Sequence, residues 1–338
     1  MRAAVIGGGV GGLTAAIGLR ASGWDVTVFE RSPALPRTGT GLGIWRDALG
    51  ALDELGLGEA ARRAGRRQPD GALRRPDGSL LGVLRADVHL LTRPALLGLL
   101  ADALPDGAIR FGAPVAWQDC DHDLVVAADG VHSGARLSLF GVRARPSGAI
   151  AWRGTADFAV GAGGETWGRG VKFGLTPRAD GRTNWYAMTG PDADLREAFG
   201  GWHDPIPRVL AEAGEVLRHS LDHLPPLPAY HRGRVVLLGD AAHAMTPDLG
   251  QGACQAIIDA VTLAGCLKTH DVPGGLAAYD RLRRRKTQRM ARRSLLLNRL
   301  ARTRRLTGVR DTALRVALAL APRPGRGESR SADPEQAG

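Results

Sequence analysis

Ala3-Ala4-Val5-Ile6-Gly7-Gly8-Gly9-Val10-Gly11-Gly12-Leu13, followed one helix length later by Asp25-Val26-Thr27-Val28-Phe29-Glu30, decides the fold of this 338-residue chain. Ala3–Ile6 is a short apolar run of strand character, and Leu13–Arg20 has the composition of a helix that Gly23 ends. Asp25–Phe29 is a second strand with Glu30 at its end. Gly7, Gly9 and Gly12 therefore carry the Gly-x-Gly-x-x-Gly spacing between a strand and a helix, with an acidic residue about 20 positions on. In that context Gly7 makes the tight turn, Gly9 admits a pyrophosphate, Val10 opens the helix and Gly12 lets helix and strand pack. The pyrophosphate sits on the helix N-terminus, where unpaired N–H groups and the helix dipole favour an anion. Glu30 accepts ribose hydroxyls, which selects an unphosphorylated adenosine ribose: FAD or NAD and not NADP.

A second stretch, Val235 to Ala260, repeats the logic from the other end of the chain. Val235–Leu238 is a buried strand, and Gly239-Asp240 places a carboxylate at its C-terminal edge, where ligands sit in doubly wound α/β folds. Pro247 breaks the chain, and Gly250-Gln251-Gly252 lets the backbone approach a flat ligand before a helix begins near Ala253. The N-terminus of that helix would stabilise a redox ring that becomes anionic on reduction. The plainer alternative is a strand–loop–helix connection whose glycines only make the turn. A third strand, Leu124–Ala128, runs into Asp129-Gly130-Val131-His132-Ser133-Gly134-Ala135-Arg136 and again ends on a carboxylate.

Between these pieces the pattern changes. Arg74–Leu84, interrupted by Pro76-Asp77-Gly78, reads as a hairpin, and Thr38–Gly43 as a glycine-rich turn. Trp45–Leu57 is an amphipathic helix. Leu90–Leu104 is another, with Thr92 as N-cap and Pro94 in its first turn. Arg93 at that junction either reaches a phosphate or is simply solvated. From Ile150 to Met188 the sequence alternates as an antiparallel sheet with Trp152, Trp167 and Trp185, a wall for an aromatic pocket or ordinary core. Asp194–His219 is helical in parts. The expected fold is α/β, a Rossmann-like dinucleotide-binding domain with an interleaved antiparallel-sheet substrate domain and C-terminal helices. Its divisions are 1–70, 89–147 and 229–275 for the cofactor part, and 71–88 and 148–228 for the substrate part. Residues 276–321 form Arg-rich helices, and 322–338 a disordered tail.

The formal charge of +11 suggests a nucleic-acid partner until it is located. Residues 281–310 hold 13 of the 45 Lys and Arg and no Asp or Glu, so the remainder carries 32 basic against 34 acidic residues. The basicity is local, the solvated face of one long amphipathic helix, or two, over 275–306, and no nucleic-acid partner is expected. Cys120, Cys254 and Cys266 form no CxxC and are odd in number, which argues against a disulfide framework and for a reducing, cytoplasmic setting. The sequence opens on a strand with no signal region, and no apolar run reaches the ~20 residues of a membrane span. The nine His and three Cys show no ligand spacing, so no metal is expected.

Gly7–Gly12 with Glu30, Asp129-Gly130-x-x-Ser133-x-x-Arg136, and Gly239-Asp240 through Gly252 stand in one order. Together they resemble the single-component FAD-dependent aromatic hydroxylases (group A flavoprotein monooxygenases), in the branch of salicylate- and urate-hydroxylase-like proteins and zeaxanthin epoxidase. The resemblance covers about residues 1–300. It implies a bound, extended FAD, with adenosine near Glu30, Arg31 and the Val115 backbone, and with Arg93 and Asp240 at the pyrophosphate and ribityl region. It places Pro247, Gly250, Gln251 and Gly252 against the flavin ring, and Asp129-Gly130 between FAD and a visiting nicotinamide cofactor. With one dinucleotide fold present, NADH or NADPH would bind transiently. The implied chemistry is oxygen transfer from O₂ through a flavin C4a-hydroperoxide to a small aromatic or conjugated substrate. Lys172 and Asp248 fall where that branch faces substrate, although Asp248 equally suits a cap for the following helix.

The chain departs from that pattern in places. Residues 113–124 are shorter than usual, Arg46-Asp47 replaces a frequent Pro-Asn, Ile258 replaces a common Glu, and Asn184 stands where some urate-hydroxylating members have Tyr. Two alternatives stay open at this level: an FAD-dependent dehydrogenase or reductase of the same fold, and a non-catalytic flavin-binding protein.

Overall fold

A computed structural model of the protein describes residues 1–39 and 41–320, and two sheets organise them. The tail expected over 322–338 lies outside the described residues. The first sheet has six strands in the spatial order His231–Arg232, Val235–Leu237, Leu124–Ala127, Arg2–Ile6, Asp25–Glu30 and Ile109–Phe111. All its pairings are parallel except that of the two-residue edge strand. Its central strands are apolar without alternation, because helices cover both faces. Helices Val10–Ala21 and Gly252–Thr269 meet closely. A Cβ at Gly18 would lie 2.9 Å from the Ala264 Cβ, and one at Gly11 would lie 2.5 Å from Leu238.

The second sheet has eight strands, ordered Leu217–His223, Arg145–Ala156, Thr183–Thr189, Lys172–Pro177, Gly164–Trp167, Arg66–Arg74, Leu80–Thr92 and Gly41–Trp45. Only the junction of Arg66–Arg74 with Gly164–Trp167 is parallel. Alternation gives it two unlike faces. On the far face Phe173 stacks on Trp185 at 5.6 Å and meets Phe199 edge-on at 5.2 Å, a satellite core closed by helices Leu195–Phe199 and Ile206–Ala211. Trp185 and Trp152 belong to that side and are not a pocket wall; Trp167 faces the other way.

Three local expectations change. The hairpin extends to Arg66–Arg74 and Leu80–Thr92, since cross-strand pairing continues well past its turn. Residues 41–45 are a strand on the edge of the second sheet and not part of a turn, because Leu80–Thr92 supplies a partner that glycine-rich sequence alone does not advertise. Leu217–His223 is a strand against Arg145–Ala156, where tertiary pairing overrides the helical reading that ended at His219. The long helices hold, at Val272–Ala301 and Thr307–Leu320.

One buried carboxylate ties these layers together. Asp259, on helix Gly252–Thr269, accepts from Arg283 Nε at 2.6 Å and lies 2.6 Å from His243 Nε2. It also accepts the Gly239 backbone N–H at 3.2 Å, while Arg283 reaches Gln255 Oε1 at 2.7 Å. Burial alone would raise the Asp259 pKa, but His243 and Arg283 outweigh it and hold the carboxyl below its usual range. Asp259→Ala leaves the Arg283 cation buried and unpaired, so unfolding stability should fall by about 3–5 kcal/mol in urea titrations. Because the folded pKa is depressed, the stabilisation is present above the unfolded value of 3.8 and disappears as pH falls through the folded one. The deficit between wild type and Asp259→Ala should therefore shrink on acidification.

Candidate active site

The parallel strands deliver their C-terminal ends to one edge. Gly7, at φ +107°, packs so tightly that a Cβ there would lie 2.4 Å from the Ala128 carbonyl oxygen. A Cβ at Gly12 would lie 1.9 Å from the Gly7 carbonyl oxygen, whereas Gly9 has nothing within 4 Å of that position. Gly9 is the N-cap of helix Val10–Ala21 and no side chain caps it, so its first-turn amides face open space. Glu30 closes the loop from the side, with Oε2 accepting from Gly8 N at 2.6 Å and Oε1 from Ser32 N at 2.8 Å. Burial opposes the charge on Glu30, but these two amides prevail and lower its pKa. Arg31 is exposed beside it, and half-buried Val115 follows Ala113, whose N–H donates to the Glu30 carbonyl at 3.0 Å.

Asp129 Oδ2 accepts from Gly134 N at 2.9 Å and Ala135 N at 3.3 Å, while Oδ1 is buried and has no partner among the described residues. Arg136 is buried and donates to three backbone carbonyls: Val131 at 2.6 Å, Val142 at 3.0 Å and Ala241 at 3.1 Å. Its role is to lock the Asp129 loop to the segment after Asp240. Asp240 itself is exposed at the head of the short helix Asp240–His243, and a Cβ at Gly252 would lie 4.0 Å from its Oδ1. Pro247–Leu249 forms a 3-10 turn, and Gly250 is left-handed at φ +62° with its carbonyl accepting from Trp45 Nε1 at 3.3 Å. Gln251 is the N-cap of helix Gly252–Thr269 through its backbone only. Arg93, exposed, opens helix Arg93–Asp102, which Thr92 caps by accepting from Ala95 N at 3.2 Å.

Opposite the Pro247–Gly252 loop, the near face of the second sheet presents a polar cluster. Lys172 Nζ lies 3.0 Å from Glu165 Oε1 and 3.1 Å from Asp248 Oδ1, all three side chains being buried or nearly so. The Asp248 contact is close but poorly aligned as a hydrogen bond. Glu165 also accepts from Tyr186 OH, and from Trp167 Nε1 at 2.6 Å. Asn298 of the long helix donates to Asp248 Oδ2 at 3.0 Å. Asp248 thus bridges sheet, loop and helix, and it does not cap the helix that follows. Burial opposes both charges of the central pair, but each partner outweighs it: the Glu165 pKa is lowered and that of Lys172 raised. Burial, and then the Glu165 charge, push Tyr186 well above the ordinary phenol range. Gly174 makes room for that ring, since a Cβ there would lie 2.1 Å from Tyr186 Cζ.

Lys172 and Asp248, far apart in sequence, are therefore brought together. Glu165, Tyr186 and Asn298 complete the group and were not apparent from sequence. Strand alternation places Glu165, Lys172 and Tyr186 on one face only once the register Lys172↔Met188 and Gly174↔Tyr186 and Glu165↔Gly174 is known. Among the described residues no group of three His, Cys, Asp or Glu is placed to hold a metal.

The uncapped helix start, the open space at Gly9, the unpartnered Asp129 Oδ1 and the free Asp240 carboxylate fit an extended FAD across this edge. Residues 227–294 match the FAD binding domain family, and residues 5–36 match the NAD(P)-binding Rossmann-like domain. The chain is 35% identical to aurachin C monooxygenase/isomerase of Stigmatella aurantiaca, over 82% of this chain and 84% of that protein. It is 35% identical to 3-amino-4-hydroxybenzoate 2-monooxygenase of Streptomyces cremeus, over 87% and 86%. The structure of Klebsiella pneumoniae HpxO with FAD and uric acid superposes with a TM-score of 0.85 at 25% identity, over 94% and 93%. The chain belongs to the single-component FAD-dependent aromatic hydroxylase family. It is an FAD-dependent monooxygenase.

Gly9 and Gly12 separate two uses of one motif. Gly12→Ala drives a methyl into backbone and should cost about 1–3 kcal/mol of stability without cofactor. Gly9→Ala should cost less than ~1 kcal/mol as a cap change, yet weaken FAD by about ten-fold or more, because the methyl enters the ligand's space. Urea midpoints of the apoprotein and FAD titrations by fluorescence quenching give both quantities.

Proposed function

We propose that the enzyme transfers one oxygen atom from O₂ to a small aromatic or conjugated substrate, with NADH or NADPH as a transient reductant. When bound, FAD supplies hydride acceptance and the activation of O₂. The chain's own residues hold the cofactor, orient the substrate and exclude water. Gly7, Gly9, Val10 and Gly12 hold the pyrophosphate, Glu30, Arg31 and Val115 the adenosine, and Arg93 and Asp240 the pyrophosphate–ribityl region. Pro247, Gly250, Gln251 and Gly252 back the flavin ring, with Asp129 at the boundary with the nicotinamide cofactor. Residues 1–70, 89–147 and 229–275 form the FAD part, and 71–88 and 148–228 the substrate part.

The observation that carries this reading is the Lys172–Asp248 pair. It joins the Pro247–Leu249 turn to the strand Lys172–Pro177, the two elements that would back and face the ring in this reading. Asp248, held in place by Lys172 and Asn298, orients a substrate hydroxyl or accepts its proton. The relatives' names, which include a hydroxybenzoate and 6-hydroxynicotinate monooxygenases, support a hydroxylated aromatic ring. Asn184 bonds to Arg178 at 3.4 Å and offers no phenol, which disfavours urate itself.

The decisive experiment follows oxygen consumption while the FAD-loaded protein oxidises NADH or NADPH in ¹⁸O₂ with a panel of hydroxylated aromatic acids. One labelled atom in product is expected. Efficient turnover under strict anaerobiosis with another electron acceptor would instead establish a dehydrogenase of the same fold.

A separate expectation concerns Asp240. Its carboxylate repels a pyrophosphate, so its contribution is to accept ribityl hydroxyls. Asp240→Ala should loosen FAD by about 1–3 kcal/mol with far-UV circular dichroism unchanged, and Asp240→Asn by less. Wild-type FAD affinity in Asp240→Ala would remove this stretch from the cofactor site.

A further inference from the structure

Two cations on the substrate face of the second sheet are in opposite situations. Lys172 is neutralised by Glu165 and Asp248, so it has no charge left to offer an anionic ligand. Arg153, two strands away, has no hydrogen bond or ion pair to any described residue. The ladder places it directly opposite Tyr186, which in turn stands opposite Gly174, itself opposite Glu165, so Arg153 shares their face. It is half-buried and close to Arg93 at the start of helix Arg93–Asp102. Burial, and then the Arg93 charge, hold its guanidinium below the usual arginine range, with Tyr186 opposing.

An arginine stays protonated under such conditions and bears the desolvation cost unless a counter-anion joins it. Among the described residues the anions of this face are already taken, Glu165 by Lys172, Tyr186 and Trp167, and Asp248 by Lys172 and Asn298, while Arg93 adds a second positive charge and no counter-ion. The missing anion must come from a ligand. Resting on the substrate-pocket reading above, we propose that Arg153 is the specificity-determining anion receptor of the pocket and takes the carboxylate or phenolate of an aromatic acid. The planar fork of Arg suits two parallel hydrogen bonds to a carboxylate. The ring would then extend along Tyr186 towards the Lys172–Asp248 pair. The same chemistry is present in a phosphate of the bound FAD, and the experiment separates the two sources.

Benzoate and benzamide, rings of one shape that differ in charge, are titrated into the FAD-loaded protein while the visible flavin spectrum is followed. Wild type should bind benzoate at least about ten-fold more tightly than benzamide. Arg153→Gln should abolish that preference with FAD affinity within about three-fold of wild type, while Arg153→Lys, which keeps charge but not the fork, retains part of it. Equal affinity of wild type for the two probes, or no spectral response to either, overturns the proposal. So does an Arg153→Gln protein whose FAD affinity falls by more than about ten-fold while its FAD-saturated form keeps the benzoate preference, since the anion would then be the cofactor's own phosphate. The readout is binding and not turnover. A benzoate preference that depends on Arg153, in a protein that never incorporates oxygen, would uphold this receptor and defeat the monooxygenase reading alone.

Discussion

Three structural elements converge on the Asp259 carboxylate: the helix that carries it, the long C-terminal helix through Arg283, and the Gly239–His243 segment through a backbone amide and an imidazole. Each ion would be expensive to bury alone, by several kcal/mol after relaxation. The arrangement persists because every acceptor oxygen has a donor at short range, and because the surrounding layers exclude water from all of them. The consequence for function is positional. Gly239 sits at φ +62°, a conformation most residues resist, and its N–H is fixed by Asp259. Asp240 is thereby presented outward on the edge where the Gly7–Gly12 loop also opens.

Arg136 performs the matching task on the neighbouring strand. Its guanidinium is spent on three carbonyls, one of them Ala241, so the Asp129 and Asp240 loops move as one body. Neither buried cation of this scaffold faces a ligand. The C-terminal edge of the first sheet is instead built from backbone amides, glycine clearances and outward carboxylates.

The near face of the second sheet follows a different rule. Glu165, Lys172 and Asp248 concentrate charge in a site closed to bulk water, where Coulombic attraction is strong and an unmatched charge is costly. Tyr186, Trp167 and Asn298 supply hydrogen bonds that complete the group. The long helix contributes Asn298 to this site and Arg283 to the Asp259 hub, so its inward residues are structural on both sides of the molecule. Most of its remaining arginines are solvated, which agrees with the strongly local basicity of the sequence. Among the described residues no helix is long and apolar enough to cross a membrane.

Sequence by itself determined the parallel sheet and the phosphate loop, because both rest on local requirements. Gly7, Gly9 and Gly12 are demanded by backbone geometry within one turn, and Glu30 and Asp240 are delivered by their own strands. Lys172 and Asp248 stood out only through family resemblance and not through any local pattern. Tertiary structure alone decided that these two meet, that Glu165 and Tyr186 join them, and that Arg153 has no counter-ion among the described residues. Each of those facts depends on the register of strands brought together across the sheet, and one residue of slippage would turn every side chain to the opposite face. The strands Gly41–Trp45 and Leu217–His223 escaped the sequence reading for the same reason: their conformation is imposed by partners distant in the chain and not by their own residues.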